Sequence, residues 1–152
     1  MRRKDKEILD LHRMEEILRK CQVCRVGFAN GNVPYVVPMS FGYARSGDAF
    51  TLYFHCAQEG RKIDCMRDNP NVAFEMDTGY EVIPSRITAK YECLMGHGTL
   101  SEVSGEEALA GLRAILRQSG MDEGYPIDKE ESLPRVAVLK LQIAQMTAKA
   151  SA

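Results

Sequence analysis

The sequence predicts a mainly β fold, an antiparallel barrel carrying a few peripheral helices. Three observations support that expectation. Apolar–polar alternation recurs along the chain as roughly six or seven candidate strands. Turn signals such as Asn30-Gly31-Asn32 and Arg45-Ser46-Gly47-Asp48 join neighbouring candidates at hairpin spacing. Helical stripes are few and do not alternate with the strands, as a parallel α/β sheet would demand.

Taken in order, residues 10–20 read as an amphipathic helix with Leu11, Met14, Ile17 and Leu18 on one side. Strands follow over 23–29 and 34–43, joined at Asn30-Gly31-Asn32. Pro34 and Pro38 fall inside the second of these. Proline gives a ladder no N–H, so this strand belongs at an edge or bulges near Pro38. The prolines protect an edge or break the ladder so that backbone groups such as those of Met39 and Ser40 are free to bond a flat heteroaromatic ring, and the second account is favoured. The next strand ends at Cys56, where Leu52, Phe54 and Cys56 alternate with Thr51, Tyr53 and His55.

Gly60 then turns the chain into a short helix with Ile63 and Met66 on one face, stopped at Asn69-Pro70. A strand over 72–77 leads into residues 78–86, which read as a loop, and a longer strand covers about 89–102. Ser104 and Glu107 have capping-box spacing. They open a helix whose stripe is Leu109, Leu112, Ile115 and Leu116, and Gly120 ends it. Residues 121–134 read as a polar loop, and the last strand runs from about 135 to 146.

At 152 residues the chain is expected to form one domain, 1–152, long enough to bury about 70% of the surface its unfolded form exposes. A net charge of −1 argues against nucleic-acid or membrane partners. No apolar run is long enough to span a bilayer. The basic start Met1-Arg2-Arg3-Lys4 leads into Asp5, Lys6 and Glu7, unlike a secretory signal.

Five cysteines, an odd number at irregular spacing, speak against a disulfide framework and for a reducing cytoplasm. Cys21-Gln22-Val23-Cys24 has redox-motif spacing, but the order of strand and helix around it is reversed. No second cysteine pair completes a zinc site, so no metal is expected, and Cys24, alternating with Val26 and Phe28, reads as a small core residue.

Arg61 and Lys62 are the sharpest chemical signal. They occupy the first turn of a helix, where the dipole is positive and N–H groups lack partners. Cations there cost roughly 0.3–1 kcal/mol each unless an anion is bound. A phosphate would reverse the sign, because N–H groups, guanidinium and ammonium would all face it. The plain alternative is a solvated pair neutralised by Glu59 and Asp64.

The run Pro34-Tyr35-Val36-Val37-Pro38-Met39, followed by Tyr53-Phe54-His55-Cys56-Ala57 and Gly60-Arg61-Lys62, resembles the flavin-binding split-barrel superfamily. Within it the similarity is to the pyridoxamine 5'-phosphate oxidase-like branch, nearest to the nitroimidazole-resistance (Nim) proteins. It continues through Asn69-Pro70-Asn71-Val72-Ala73-Phe74-Glu75 and more faintly at Gly96-His97-Gly98, covering most of the chain.

The resemblance implies an antiparallel split β-barrel of the FMN-binding type. Val37, Pro38, Met39 and Ser40 would line the flavin ring. Gly60, Arg61 and Lys62 would hold its phosphate, with Cys56 and Ala57 alongside and Cys93 where relatives often carry serine. His55 would lie beside the flavin and a small substrate, as the one candidate catalytic residue; a structural role is its alternative. His97 reads as a half-exposed strand residue. Ala148 stands where relatives end in Thr-Gly-Lys with glycine, which weakens any tight ligand contact there.

The activity implied is that of a small FMN-dependent oxidoreductase. Reducing equivalents would pass from NADH or NADPH through FMN to a small, for example nitroaromatic, substrate. A homodimer sharing its flavins across the interface is implied as well. Pyridoxamine phosphate oxidation itself is disfavoured, because the basic C-terminal substrate motif of that enzyme has no match. Haem binding or degradation, with His55 or His97 as ligand, and a non-catalytic flavin carrier or redox sensor are the alternatives.

Overall fold

Eight strands form one antiparallel sheet in the computed structural model of the chain, which describes residues 3–85, 88–121, 124–127 and 135–151. In chain order the strands are β1 (Glu7–Ile8), β2 (Cys24–Asn30), β3 (Val33–Met39), β4 (Gly42–Ser46), β5 (Ala49–Ala57), β6 (Asn71–Ile83), β7 (Thr88–Val103) and β8 (Val136–Ser151). The helices are α1 (Leu11–Lys20), α2 (Arg61–Asp68) and α3 (Gly105–Gln118). In space the strands run β3-β2-β6-β7-β8-β5-β4, and β1 pairs with β8 at Lys149 and Ala148.

That order explains the shape. β3 and β4 lie at opposite edges of the ladder, yet only Ser40 and Phe41 separate them in the chain. So short a connection spans about 11 Å at most. The sheet must therefore curl until its two edges meet, joined at the seam by covalent chain instead of a ladder. This is the expected antiparallel split β-barrel.

The prolines fit the edge position. Pro34 and Pro38 face Ala29 and Arg25 across the β2–β3 ladder, and as edge residues they can turn their nitrogens away from β2. The interior is filled by alternate residues such as Val26, Leu52, Phe54, Met76, Leu94 and Leu139, all fully buried. Each contributes roughly 1.5–3 kcal/mol. Helix α1, capped by the Asp10 carboxylate accepting from the His12 N–H at 3.0 Å, adds Met14, Ile17 and Leu18 to the same core.

Helix α3 packs on the outside of the barrel, where Tyr53, Ala114 and Ile115 form a second cluster. Gly42 permits this approach. A β-carbon there would lie 2.2 Å from the Ala114 carbonyl carbon and 2.3 Å from the Ile115 nitrogen. At its far end α3 closes through the Met121 N–H donating to the Leu116 carbonyl at 2.9 Å, just beyond Gly120 as expected.

Several boundaries differ from expectation. The strand expected over 34–43 is two strands, because the chain leaves one edge at Ser40 and joins the other at Gly42. Residues 78–83, read as loop, extend β6 beyond a register shift between Thr78 and Glu81, paired to β7 through Glu81–Lys90, Val82–Ala89 and Ile83–Thr88. β8 continues to Ser151, past a second shift opposite His97 and Gly98. That bulge changes which residues face inward: Leu139 and Leu141 are buried before it and Ala148 after it. Ser104 caps α3 without a side-chain hydrogen bond, and Glu107 accepts from Lys140 at 2.5 Å instead of completing a capping box. The segment 121–134 lies mostly outside the described residues.

Among the described residues, no helix is long and apolar enough to cross a membrane.

Candidate functional site

A cleft opens at the seam of the barrel. β4 pairs with β5 only from Ala49 to Tyr53. Beyond Tyr53, the run Phe54–Ala57 keeps its β8 partners and has none on β4. The outer edge of β3 is likewise without a strand partner among the described residues. Between these edges opens a cleft of about 550 Å³, lined by residues 37–40, residues 55–57, Lys62, Arg135 and Val136.

The turn before α2 sets one end of this region. Gly60 adopts φ 127° and ψ 168°, a conformation that only glycine takes readily. Its carbonyl accepts from the Ile63 N–H at 2.9 Å and the Asp64 N–H at 3.1 Å, and α2 has no side-chain cap. The N–H groups of Arg61 and Lys62 therefore precede the first helical bonds and have no intrahelical acceptor. A β-carbon on Gly60 would find nothing within 4 Å, so the backbone here is open to approach.

The structure brings most of the anticipated residues together. Val37, Pro38, Met39, Ser40, His55, Cys56, Ala57 and Lys62 all line the cleft. Gly60 shapes the adjoining turn. Arg61 is exposed, and its guanidinium lies 4.2 Å from the Tyr35 ring centroid instead of lining the cleft. Cys93 is also outside the cleft, buried on β7 opposite Asp77 and Lys149. His97 is on a different part of β7 with Nε2 3.3 Å from Gln145 Oε1.

Arg135 and Val136 were not anticipated in the site. They belong there because Val136 pairs with Ala57 across the β5–β8 ladder. No local signal in the polar stretch before β8 marks them.

Among the described residues, the lining of the cleft carries the cations Lys62 and Arg135 and no Asp or Glu. Burial pushes the Cys56 thiol up, Lys62 opposes the shift and Glu102 adds to it. Cys93 is raised by burial as well. Burial drives the Cys21 and Cys24 thiols up to about 12. Both side chains are buried in the core as packing residues. Among the described residues no group of three or more His, Cys, Asp or Glu could hold a metal ion.

A curled antiparallel sheet with a cleft at its open seam defines the class, a split-barrel protein. The family model described as pyridoxamine 5'-phosphate oxidase matches residues 10–150, and the chain belongs to that family. The crystal structure of a candidate 5-nitroimidazole antibiotic resistance protein from Bacteroides thetaiotaomicron is similar at 30% identity and TM-score 0.76. That match covers 95% of this chain and 86% of the other.

Two more distant structures share the fold alone. A flavocytochrome from Azotobacter vinelandii matches at 20% identity and TM-score 0.76, over 100% of this chain and 72% of its own. An FAD- and haem-binding protein from Mycobacterium smegmatis matches at 17% identity and TM-score 0.78, over 96% and 73%. No curated protein matches the chain.

Proposed function

We propose that the chain is a flavoprotein that binds FMN in the seam cleft and works as a small cytoplasmic oxidoreductase. The observation that carries this reading is the cleft itself. Its volume of about 550 Å³ suits a small cofactor, its described lining holds two cations and no carboxylate, and it adjoins uncapped helix N–H groups. Those features fit a phosphorylated planar ligand.

The chain's own residues would divide the work. The unpaired edge at Val37–Ser40 offers backbone groups to a flat heteroaromatic ring, while Lys62 and the α2 N-terminus face the phosphate. A bound flavin would supply the redox chemistry, a hydride from NADH or NADPH in exchange for two electrons passed to a small acceptor such as a nitroaromatic. His55 stands at the cleft wall and orients that acceptor.

A homodimer with the flavin at its interface is part of the same reading. It is supported by exposed Val33 and Val36 on the edge strand and exposed Tyr80 and Val82 on the β6–β7 hairpin. Haem ligation by His55 and His97 together is disfavoured within one chain. His55 faces Val138, which faces Val103 on β7, and Val103 is about 20 Å along that strand from His97.

The test is the visible spectrum of the purified protein, chromatography of its released cofactor, and sedimentation. Flavin bands, released FMN and a dimer are expected. Apoprotein that fails to take up micromolar FMN would overturn the reading, and a haem Soret band would replace it.

A further inference from the structure

The buried residues of α3 are Gly111, Ala114 and Ile115, with none before Gly111. At Gly111 the helix touches down on the barrel. A β-carbon there would lie 2.7 Å from Tyr53 Cδ1 and 3.2 Å from Val138 Cγ1. Ala108, Leu109 and Leu112 stay half-buried. Between them and β8 runs a groove of about 410 Å³, floored by Val136 and Val138.

This groove continues the seam cleft. Val136 lines both. Across the β5–β8 ladder, Ala57 and His55 of the cleft face Val136 and Val138 of the groove. Directly opposed residues share a face of the sheet, with β-carbons about 4.5–5.5 Å apart. His55 thus stands at the junction of the cleft and the apolar floor.

Polarity selects what the groove would hold. The described lining of the cleft carries two cations, whereas that of the groove has Glu102 as its one charge and no cation. An anionic group is disfavoured there. An uncharged apolar group gains by leaving water against Val136, Val138, Leu109 and Leu112.

We infer that the groove under α3 is a subsite for the apolar arm of the electron acceptor, which makes the site select uncharged aromatic acceptors bearing an alkyl or aryl substituent. The reducible end lies at His55 and the arm runs over Val138 beneath Leu109. This rests on the flavin reading above. With a nitroaromatic acceptor, the nitro group takes two electrons and two protons from reduced flavin and becomes a nitroso group and water.

Two measurements test it, the first independent of flavin. Apoprotein is titrated with the neutral fluorescent probe N-phenylnaphthylamine, which is then displaced with nitrobenzene or para-butylnitrobenzene. Wild type should bind the butyl compound roughly tenfold or more tightly than nitrobenzene. The second is single-turnover reoxidation of the reduced, flavin-loaded protein, whose half-saturating concentration should show the same preference. Ala108→Phe fills the groove and Leu109→Ser makes its wall polar. Each should lose most of the preference in both measurements. Melting curves confirm folding, and Leu109→Ser serves where Ala108→Phe does not fold.

Wild type without a preference for the butyl compound, or a folded variant that keeps it in full, overturns the subsite and leaves the flavin reading standing. Wild type that binds the butyl compound with the expected preference yet takes up no flavin overturns the flavin reading, and the acceptor role of the groove with it.

Discussion

The guanidinium of Arg61 lies 4.2 Å from the ring centroid of Tyr35, which straps the first turn of α2 to the edge strand β3. Tyr35 is itself steadied by Phe28, whose ring centroid is 5.8 Å away at a tilt of 36°. The start of α2 and the edge strand β3 are thus connected by a cation–π contact worth about 0.5–1 kcal/mol at an exposed site.

Tyr35→Leu keeps the apolar contact with Phe28 and removes the face on which Arg61 rests. FMN affinity should fall about two- to fivefold, while the melting temperature barely moves. Titration calorimetry with FMN checks this. Unchanged affinity would mean that the strap does not help hold the cleft in its binding geometry.

Gly60→Ala tests the turn by backbone geometry alone. A β-carbon at this position meets nothing within 4 Å, so a steric clash with neighbours cannot be the cause of any loss. The φ of 127° is the cause: a non-glycine residue there costs of order 1–3 kcal/mol. Urea denaturation should show that loss, and FMN binding should weaken further as the Arg61 and Lys62 N–H groups rotate out of position. A variant as stable as wild type would show that the turn readily adopts another conformation.

Glu15 fastens α1 to the barrel rim. Its carboxylate accepts from Arg45 at 2.7 Å, from the Tyr43 hydroxyl at 2.9 Å and from Arg19 at 2.9 Å. Bonding to Arg45 leads the causes that bring its pKa down to about 2. A depressed carboxylate pKa gives stability that is complete above the unfolded value of about 4.3 and is lost as pH falls through the folded one. Wild type should therefore lose melting temperature between about pH 4.5 and 2 through this group. In Glu15→Gln the acid limb should be shallower, with stability at pH 7 lower by roughly 1 kcal/mol. Parallel acid limbs for the two proteins would remove Glu15 from the account.

Much of this architecture is local enough to read from residue order. Pro34 and Pro38 mark β3 as an edge strand because a missing N–H is a property of the residue itself. Gly60 followed by Arg61 and Lys62 marks a helix start because turn conformation and dipole act within a few residues. The misreadings share a different cause. Residues 78–83 look like loop in isolation, yet pairing with Thr88–Lys90 makes them strand. The break at Ser40-Phe41 reflects closure of the whole sheet, which no window of residues contains. Arg135 joins the cleft only because Val136 pairs with Ala57, just over half the chain away. Glu107 fits a capping box by spacing, but Lys140 on the neighbouring strand claims it.

His55 offers the clearest separation of chemistry from folding. It is exposed on the cleft wall, on β5 opposite Val138, and its neighbours Phe54 and Cys56 supply the buried contacts of that strand end. His55→Ala should consequently leave the melting temperature and FMN affinity close to wild type. If the imidazole orients the acceptor, binding of a small anionic or nitroaromatic substrate should weaken by about 1.5–3 kcal/mol, as for a hydrogen bond to a charged partner. Single-turnover reoxidation of the reduced flavin by that acceptor should slow in proportion. Melting temperature, flavin content and reoxidation rate measured on this one variant decide the matter. A variant that loses stability and flavin together, while its remaining flavin reoxidises at the wild-type rate, would make His55 a structural residue.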